Sequence, residues 1–140
     1  MMKYGSLIIE KKEYVYLKRL LNISGYGDDN EVKKSLVKLS EELKTAQIVN
    51  EEDVPKDIVR FNSLVRIASD NGWEKELQVV IPMEKNVTLN KVSVLAPMGA
   101  ALLGYSKDDI INWSFPGGEQ KIKIIDVKKE ENLKAIDVII

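Results

Sequence analysis

The hydrophobic periodicity of this chain changes once, near residues 50–62, from the spacing of a helix to the alternation of strands. Before that point, five apolar residues recur at intervals of four and three: Val32, Leu36, Leu39, Leu43 and Ala46. Such spacing places the side chains on one face of a helix. We therefore predict a helix over about residues 29–49.

A second apolar stripe precedes this one, over about residues 11–23, and consists of Tyr14, Leu17, Leu20 and Leu21. Two stripes separated by a few residues predict an antiparallel helical hairpin, a short coiled coil whose helices pack on each other. The charged run EKKEYVYLKR, at 10–19, is expected to be a solvated helix face. Residues 1–50 are thus expected to form a helical arm.

After residue 60 the pattern is that of strands. Asn71-Gly72 separates NSLVRIASD from KELQVVIP, and Pro116-Gly117-Gly118 separates DIINWSF from EQKIKIIDV; both are turn signals between strands. LKAIDVII is a further strand candidate. Between the two hairpins, Pro97 can open a short helix that Gly104 ends. We predict that residues 51–140 form an α+β domain, an antiparallel sheet of four or five strands with one short helix packed on it.

Composition excludes several classes of function. The chain has no Cys and no His, which removes disulfides, thiolate metal sites and Ser-His triads. Its 21 basic and 22 acidic residues give a net charge of −1, so no global basic field favours direct binding of nucleic acid. The apolar run near the N-terminus is too short for a signal peptide or a membrane span, and a cytoplasmic protein is expected.

The acidic pair Asp28-Asp29 lies in the Gly-rich stretch GYGDDNEV between the two predicted helices. Adjacent carboxylates at the tip of an arm can hold a metal ion. They can also start a helix: Asp28 as N-cap with Glu31 three residues later forms a capping box, and Asp29 interacts favourably with the helix dipole. The sequence favours capping and predicts no metal site, but it leaves a metal-holding role or a polar contact with a partner open.

Residues 93–127 resemble a known family. Ser93, Pro97, the stretch Ala100–Gly104, Asp108-Asp109 and Pro116-Gly117-Gly118 match in order and spacing the C-terminal domain of the bacterial Gre transcription factors. APMGAALLG and the junction EEDVPKDIVRFNSLVRI are nearer still to the Rnk-type members, the regulators of nucleoside diphosphate kinase. The resemblance covers nearly the whole chain from about Ile8.

This resemblance implies an FKBP-like C-terminal domain, a coiled-coil arm and RNA polymerase as the partner. Gre factors dock that domain at the rim of the polymerase secondary channel and insert the arm, whose acidic tip helps to hold a second Mg²⁺ for cleaving backtracked RNA. The polymerase contact falls on Leu95, Ala96, Pro97 and Met98 of this chain. Leu95 or Met98 could instead fill the local core.

The resulting hypothesis is a monomeric transcription regulator that binds RNA polymerase, needs no cofactor, contacts no membrane and reaches nucleic acid only through the polymerase. Helix two, at 18–20 residues, would span roughly 27–30 Å, and the resemblance implies that full Gre arms have about twice as many residues per helix. Cleavage stimulation is therefore not expected, and the protein is not expected to be an enzyme. A short-armed cleavage factor using Asp28 and Asp29 is the alternative. A prolyl isomerase is disfavoured because the predicted short helix carries no aromatic residue.

Overall fold

In a computed structural model, which describes residues 2–24, 30–115 and 118–129, the chain has an α+β architecture. Its elements in chain order are β1 (Ile8–Glu10), α1 (Lys11–Ser24), α2 (Asn30–Leu43), β2 (Gln47–Val49), β3 (Leu64–Ser69), β4 (Glu74–Val80), β5 (Lys91–Ser93), α3 (Pro97–Leu102), β6 (Ile110–Phe115) and β7 (Gly118–Lys128). Within these residues no helix combines the length and apolar character that a membrane span needs.

Both predicted N-terminal helices are present, but α2 ends at Leu43 rather than near Val49. After Leu43 the chain turns through hydrogen bonds such as that from Ala46 N to Leu43 O, and Gln47 N donates to Leu7 O at 2.8 Å. Residues 47–49 then form β2, which pairs in parallel with β1. The prediction was wrong here because pairing with a strand about 40 residues away outweighs the local helical spacing.

Strands β3 to β7 form one sheet of five strands in the order β5-β4-β3-β7-β6. The β3–β4 and β6–β7 hairpins predicted from their turn signals are confirmed, although Pro116 and Gly117 lie outside the described residues. The sheet is not wholly antiparallel as predicted, because β5 pairs with β4 in parallel. β5 supplies the fifth strand of this sheet, and LKAIDVII, at 133–140, lies outside the described residues.

Five residues of the predicted helical stripes are buried and share one hydrophobic core with the sheet, and the other four, Tyr14, Leu20, Val32 and Ala46, are partly buried against it. Leu17 and Leu21 of α1, and Leu36, Leu39 and Leu43 of α2, lie in the same cluster as the buried residues of α3 and of the sheet. Burying a side chain of this size contributes about 1.5–3 kcal/mol. α2 therefore packs against the C-terminal part of the chain.

The short helix α3 has the predicted start and end. Pro97 occupies its first turn, where the missing N–H costs nothing. Gly104 follows its end with a φ of +84°, the left-handed conformation that glycine adopts without strain. Residues Gly99 to Leu102 are buried, so only the beginning of α3 is accessible.

Candidate functional site

The loop from β5 into α3, which carries the four predicted contact residues, is held by hydrogen bonds to Ser93. The Ser93 hydroxyl accepts from Leu95 N at 3.0 Å, and the Ser93 carbonyl accepts from Ala96 N at 3.0 Å. Ser93 is itself buried. A hydroxyl that bonds the backbone two residues on fixes a tight local turn. The backbone conformation of the loop is thus fixed by hydrogen bonds between its own residues.

Gly99 brings α3 directly onto the end of β5. A Cβ atom at Gly99 would lie 2.0 Å from the Ser93 carbonyl oxygen and 2.8 Å from its carbonyl carbon. Only a residue without a side chain allows this approach. The approach fixes where Pro97 and Met98, in the first turn of α3, lie relative to the sheet.

Leu95, Ala96, Pro97 and Met98 are all half-buried. Leu95 and Met98 pack in part against the hydrophobic core, as expected if they fill space locally. Each still exposes part of its side chain. The two roles weighed for Leu95 and Met98 are therefore compatible, and the four residues form an apolar surface that we call the docking loop.

Met98 also lines an apolar groove on the sheet, which the sequence did not predict. The groove has a volume of about 300 Å³ and is lined by Trp73, Lys75, Leu77, Val92 and Met98. Trp73, immediately before β4, alternates with Lys75 and Leu77 of β4, so that their side chains share one face of the sheet. This alternation was visible in the sequence, but the parallel placement of β5 beside β4 was not.

The Trp73 ring is oriented by a polar link to β7. Its Nε1 donates to Gln120 Oε1 at 3.1 Å, and the Ser69 hydroxyl donates to the same oxygen at 2.6 Å. Trp73 is half-buried. The Trp73 side of the groove is thus held in place by hydrogen bonds. Lys75 is the charged residue among those that line the groove. A surface of this composition can bind apolar groups and offers no acid–base pair for catalysis.

The arm tip residues Asp28 and Asp29 lie outside the described residues. Among the residues that the structure describes, no three His, Cys, Asp or Glu side chains are grouped so that they could hold a metal ion. α2 has 14 residues and is therefore about 21 Å long at about 1.5 Å per residue.

Arg60 ties α1 to the segment between β2 and β3. Its guanidinium contacts Glu13 on α1 at 3.2 Å and Glu51 at 2.6 Å. Glu13 is buried, so the charged run at 10–19 is not wholly a solvated face as expected. Burial raises the pKa of the Glu13 carboxyl, and the hydrogen bonds from Arg60 oppose that rise without cancelling it. The hydrogen bonds from Arg60 hold the pKa of the more exposed Glu51 below its usual value.

A second polar link joins α2 to the end of α3. The Tyr105 hydroxyl donates to Glu42 Oε2, and Lys38 Nζ lies 3.2 Å from Glu42 Oε1 and 5.6 Å from the centre of the Tyr105 ring. Burial, followed by the bond to Glu42, raises the pKa of the Tyr105 hydroxyl, which therefore stays protonated and donates. α2 is thereby fixed to the element that carries the docking loop.

Comparison with known proteins identifies the family. The model of the domain "Transcription elongation factor, GreA/GreB, C-term" matches residues 54–129. Transcription elongation factor GreA of Clostridium botulinum is 34% identical over 100 residues, which are 70% of this chain and 62% of that relative. The regulator of nucleoside diphosphate kinase of Escherichia coli is 37% identical over 81 residues, 57% of this chain and 60% of the relative. The matched residues thus make up about three fifths of each curated relative.

A solved structure agrees in sequence and in fold. The prokaryotic transcription elongation factor GreA/GreB from Nitrosomonas europaea superimposes with a TM-score of 0.71 at 30% identity, covering 89% of this chain and 98% of that one. Together with the domain match, this shows that the chain belongs to the GreA/GreB family of transcription elongation factors and has relatives among both GreA and the regulators of nucleoside diphosphate kinase.

Proposed function

We propose that this protein is a transcription regulator that binds RNA polymerase at the rim of the secondary channel, in the cytoplasm, without stimulating RNA cleavage. Its FKBP-like domain, within residues 51–140, makes the contact through the docking loop, and the helices within residues 1–50 form a short hairpin arm. The observation that carries the proposal is the docking loop itself: residues 95–98 join the apolar groove through Met98.

The chemistry of this surface suits a protein partner. Burial of apolar area yields roughly 25 cal/mol per Å² before the costs of association. The groove, at about 300 Å³, lies at the lower end of ligand pockets, which run from roughly 300 to 1,000 Å³. That size suits one or two apolar side chains of a partner better than a cofactor.

The position of α2 supports an arm of short reach. Among its described side chains, Val32 is partly buried and Ser35, Leu36, Leu39 and Leu43 are buried, and Glu42 bonds to Tyr105 beyond α3. Most of the 14 residues of α2 therefore lie against the domain that would sit at the channel rim. An arm held in this way would occupy the outer part of the channel.

The test is binding of the purified protein to core RNA polymerase, with and without an excess of full-length GreA. We expect binding that GreA displaces. Pro97→Glu should abolish it, because a carboxylate would enter the apolar contact, whereas glutamate is tolerated in the first turn of a helix. Ile110→Glu is the matched control, since Ile110 is 47% exposed and lies on β6, at the opposite edge of the sheet from β5. No binding at micromolar concentration, or equal binding by both variants, would contradict the proposal.

The similarity to GreA favours a second candidate, a short-armed cleavage factor that uses Asp28 and Asp29. It predicts GreA-competitive binding as well, so binding alone does not separate the two. RNA cleavage by backtracked complexes does, and that experiment is set out below.

A further inference from the structure

The loop between β4 and β5 exposes three apolar side chains. Met83 is 91% exposed, Val87 93% and Leu89 60%. Single exposed apolar residues are ordinary on protein surfaces, but three strongly exposed ones within seven residues of one loop are typical of an interaction site.

This loop is held in shape by its own hydrogen bonds. Asn86 and Lys91 exchange two backbone hydrogen bonds, each of 2.9 Å, and Asn90 N donates to Val87 O at 3.1 Å. The Asn86 side chain accepts from Leu89 N at 3.2 Å, and Asn90 adopts a φ of +55°, which asparagine tolerates better than most residues. The apolar side chains thus lie on an ordered backbone, so that binding a partner costs less conformational entropy.

The loop begins beside the docking loop. β4 and β5 are parallel neighbours in which Val80 pairs with Ser93, and Val94 N donates to Val80 O at 2.8 Å. The chain therefore leaves both strands at the same end of the sheet, as Ile81-Pro82 from β4 and as Leu95-Ala96 from β5. A partner that covers the docking loop is adjacent to the start of the 82–90 loop.

The charge of the segment indicates the chemistry of the partner. Lys85 lies between Met83 and Val87 in the sequence and Lys91 follows Leu89, whereas the segment has one acidic residue, Glu84. The segment has no aromatic side chain on which a base could stack, so single-stranded nucleic acid is not its ligand. An apolar protein surface with acidic residues at its rim fits it best.

We propose that Met83, Val87 and Leu89 form a second contact with the same RNA polymerase surface that the docking loop binds. This inference rests on the proposed function. It adds a binding element that the predicted contact residues, Leu95 to Met98, do not include.

The test compares the Kd for core RNA polymerase of the wild-type chain, the triple variant Met83→Ser/Val87→Ser/Leu89→Ser and Pro97→Glu. The triple variant should bind about 10- to 100-fold more weakly, the range expected when apolar anchors of an interface are truncated. A Val15→Ser/Ile110→Ser variant, which alters exposed apolar residues elsewhere, should bind as the wild type does. Because the three loop residues are exposed, their replacement should leave the urea unfolding midpoint unchanged.

The outcomes separate the two proposals. Wild-type binding that is lost in Pro97→Glu but unchanged in the triple variant would overturn this inference and leave the proposed function standing. If the wild type does not bind, both fail. Concentration-dependent self-association in sedimentation velocity that the triple variant loses would also overturn the inference, since the patch would then be an interface between copies of this chain.

Discussion

At the scale of single residues, Gly99 controls the position of the docking loop. A methyl group there would lie 2.0 Å from the Ser93 carbonyl oxygen and 3.1 Å from Val94 Cα. The end of β5 cannot move away easily, because it pairs with β4. The first turn of α3 must move instead, and with it Pro97 and Met98.

We therefore predict that Gly99→Ala destabilises the fold by about 1–3 kcal/mol, the usual cost of overpacking. The sign of this change in the free energy of unfolding is informative. Helix propensity alone would make Gly99→Ala stabilising, because alanine is better than glycine in a helix by about 1 kcal/mol. Urea unfolding measures the change, and Lys34→Ala, at an exposed position of α2, is the control. An unchanged or higher midpoint for Gly99→Ala would mean that α3 does not approach β5 as closely as described.

At the scale of elements, the Arg60 cluster joins α1 to the segment that leads into the sheet. Arg60→Met would leave Glu13 buried without its cation, and such a loss costs about 3–5 kcal/mol at pH 7. The burial that already raises the pKa of Glu13 would then act unopposed. The folded state would hold the Glu13 proton more tightly than the unfolded state, so the stability of the variant relative to wild type should rise as pH falls from 7 towards 5.

Urea unfolding of wild type and Arg60→Met at pH 7.5 and pH 5 checks this prediction. Adding Glu13→Gln to the variant should restore much of the lost stability at pH 7.5 and remove its extra pH dependence. Glu51→Gln is the control: the Glu51 side chain is 63% exposed, and pairs at exposed positions contribute about 1 kcal/mol or less. A pH-independent loss in Arg60→Met would show that packing, rather than the buried Glu13 charge, sets the cost.

The elements also show which parts of the fold the sequence could predict. Both hairpin turns of the sheet, the start of α1 at Lys11 and the α3 helix follow from local signals. The end of α2 and the fifth strand of the sheet do not. Ala46 continues the helical stripe in sequence, yet Gln47–Val49 pairs with β1 and Lys91–Ser93 pairs with β4. Parallel pairings join segments through long connections, and hydrophobic spacing carries no signal for them.

The candidate site was likewise predictable only where its residues are neighbours in the sequence. The docking loop was predicted from a family resemblance, residue by residue, because its motif is contiguous in sequence. The groove was missed because it brings together Trp73, which precedes β4, with Leu77 of β4, Val92 of β5 and Met98 of α3. Nothing local relates these residues until the strand order is known.

At the scale of the whole molecule, the buried residues of α1 and α2 belong to the same core as the sheet. α2 is about 21 Å long at about 1.5 Å per residue, and its contacts with the core include Val32, Leu36, Leu39 and Leu43. Most of α2 therefore lies against the globular part, in keeping with the short reach proposed for the arm. Metal-assisted phosphodiester cleavage requires carboxylates within a few ångströms of the scissile phosphate, so an arm of the proposed short reach would keep Asp28 and Asp29 from taking part in it.

We predict that this protein does not accelerate RNA cleavage in backtracked elongation complexes at concentrations that saturate its binding, and that it slows the cleavage caused by GreA by occupying the same site.

Asp28→Ala/Asp29→Ala should leave both binding and this competition within about twofold of wild type. Loss of an N-cap costs roughly 0.5–2 kcal/mol of helix stability, so Asp28→Ser/Asp29→Asn, which retains capping residues while removing both charges, separates a folding effect from a chemical one. The measurement is the rate at which labelled transcripts shorten in the presence of Mg²⁺, with GreA as the positive control. Cleavage by the wild type that both double variants abolish would instead establish the short-armed cleavage factor, because a tip that only caps a helix cannot lose activity when capping is preserved.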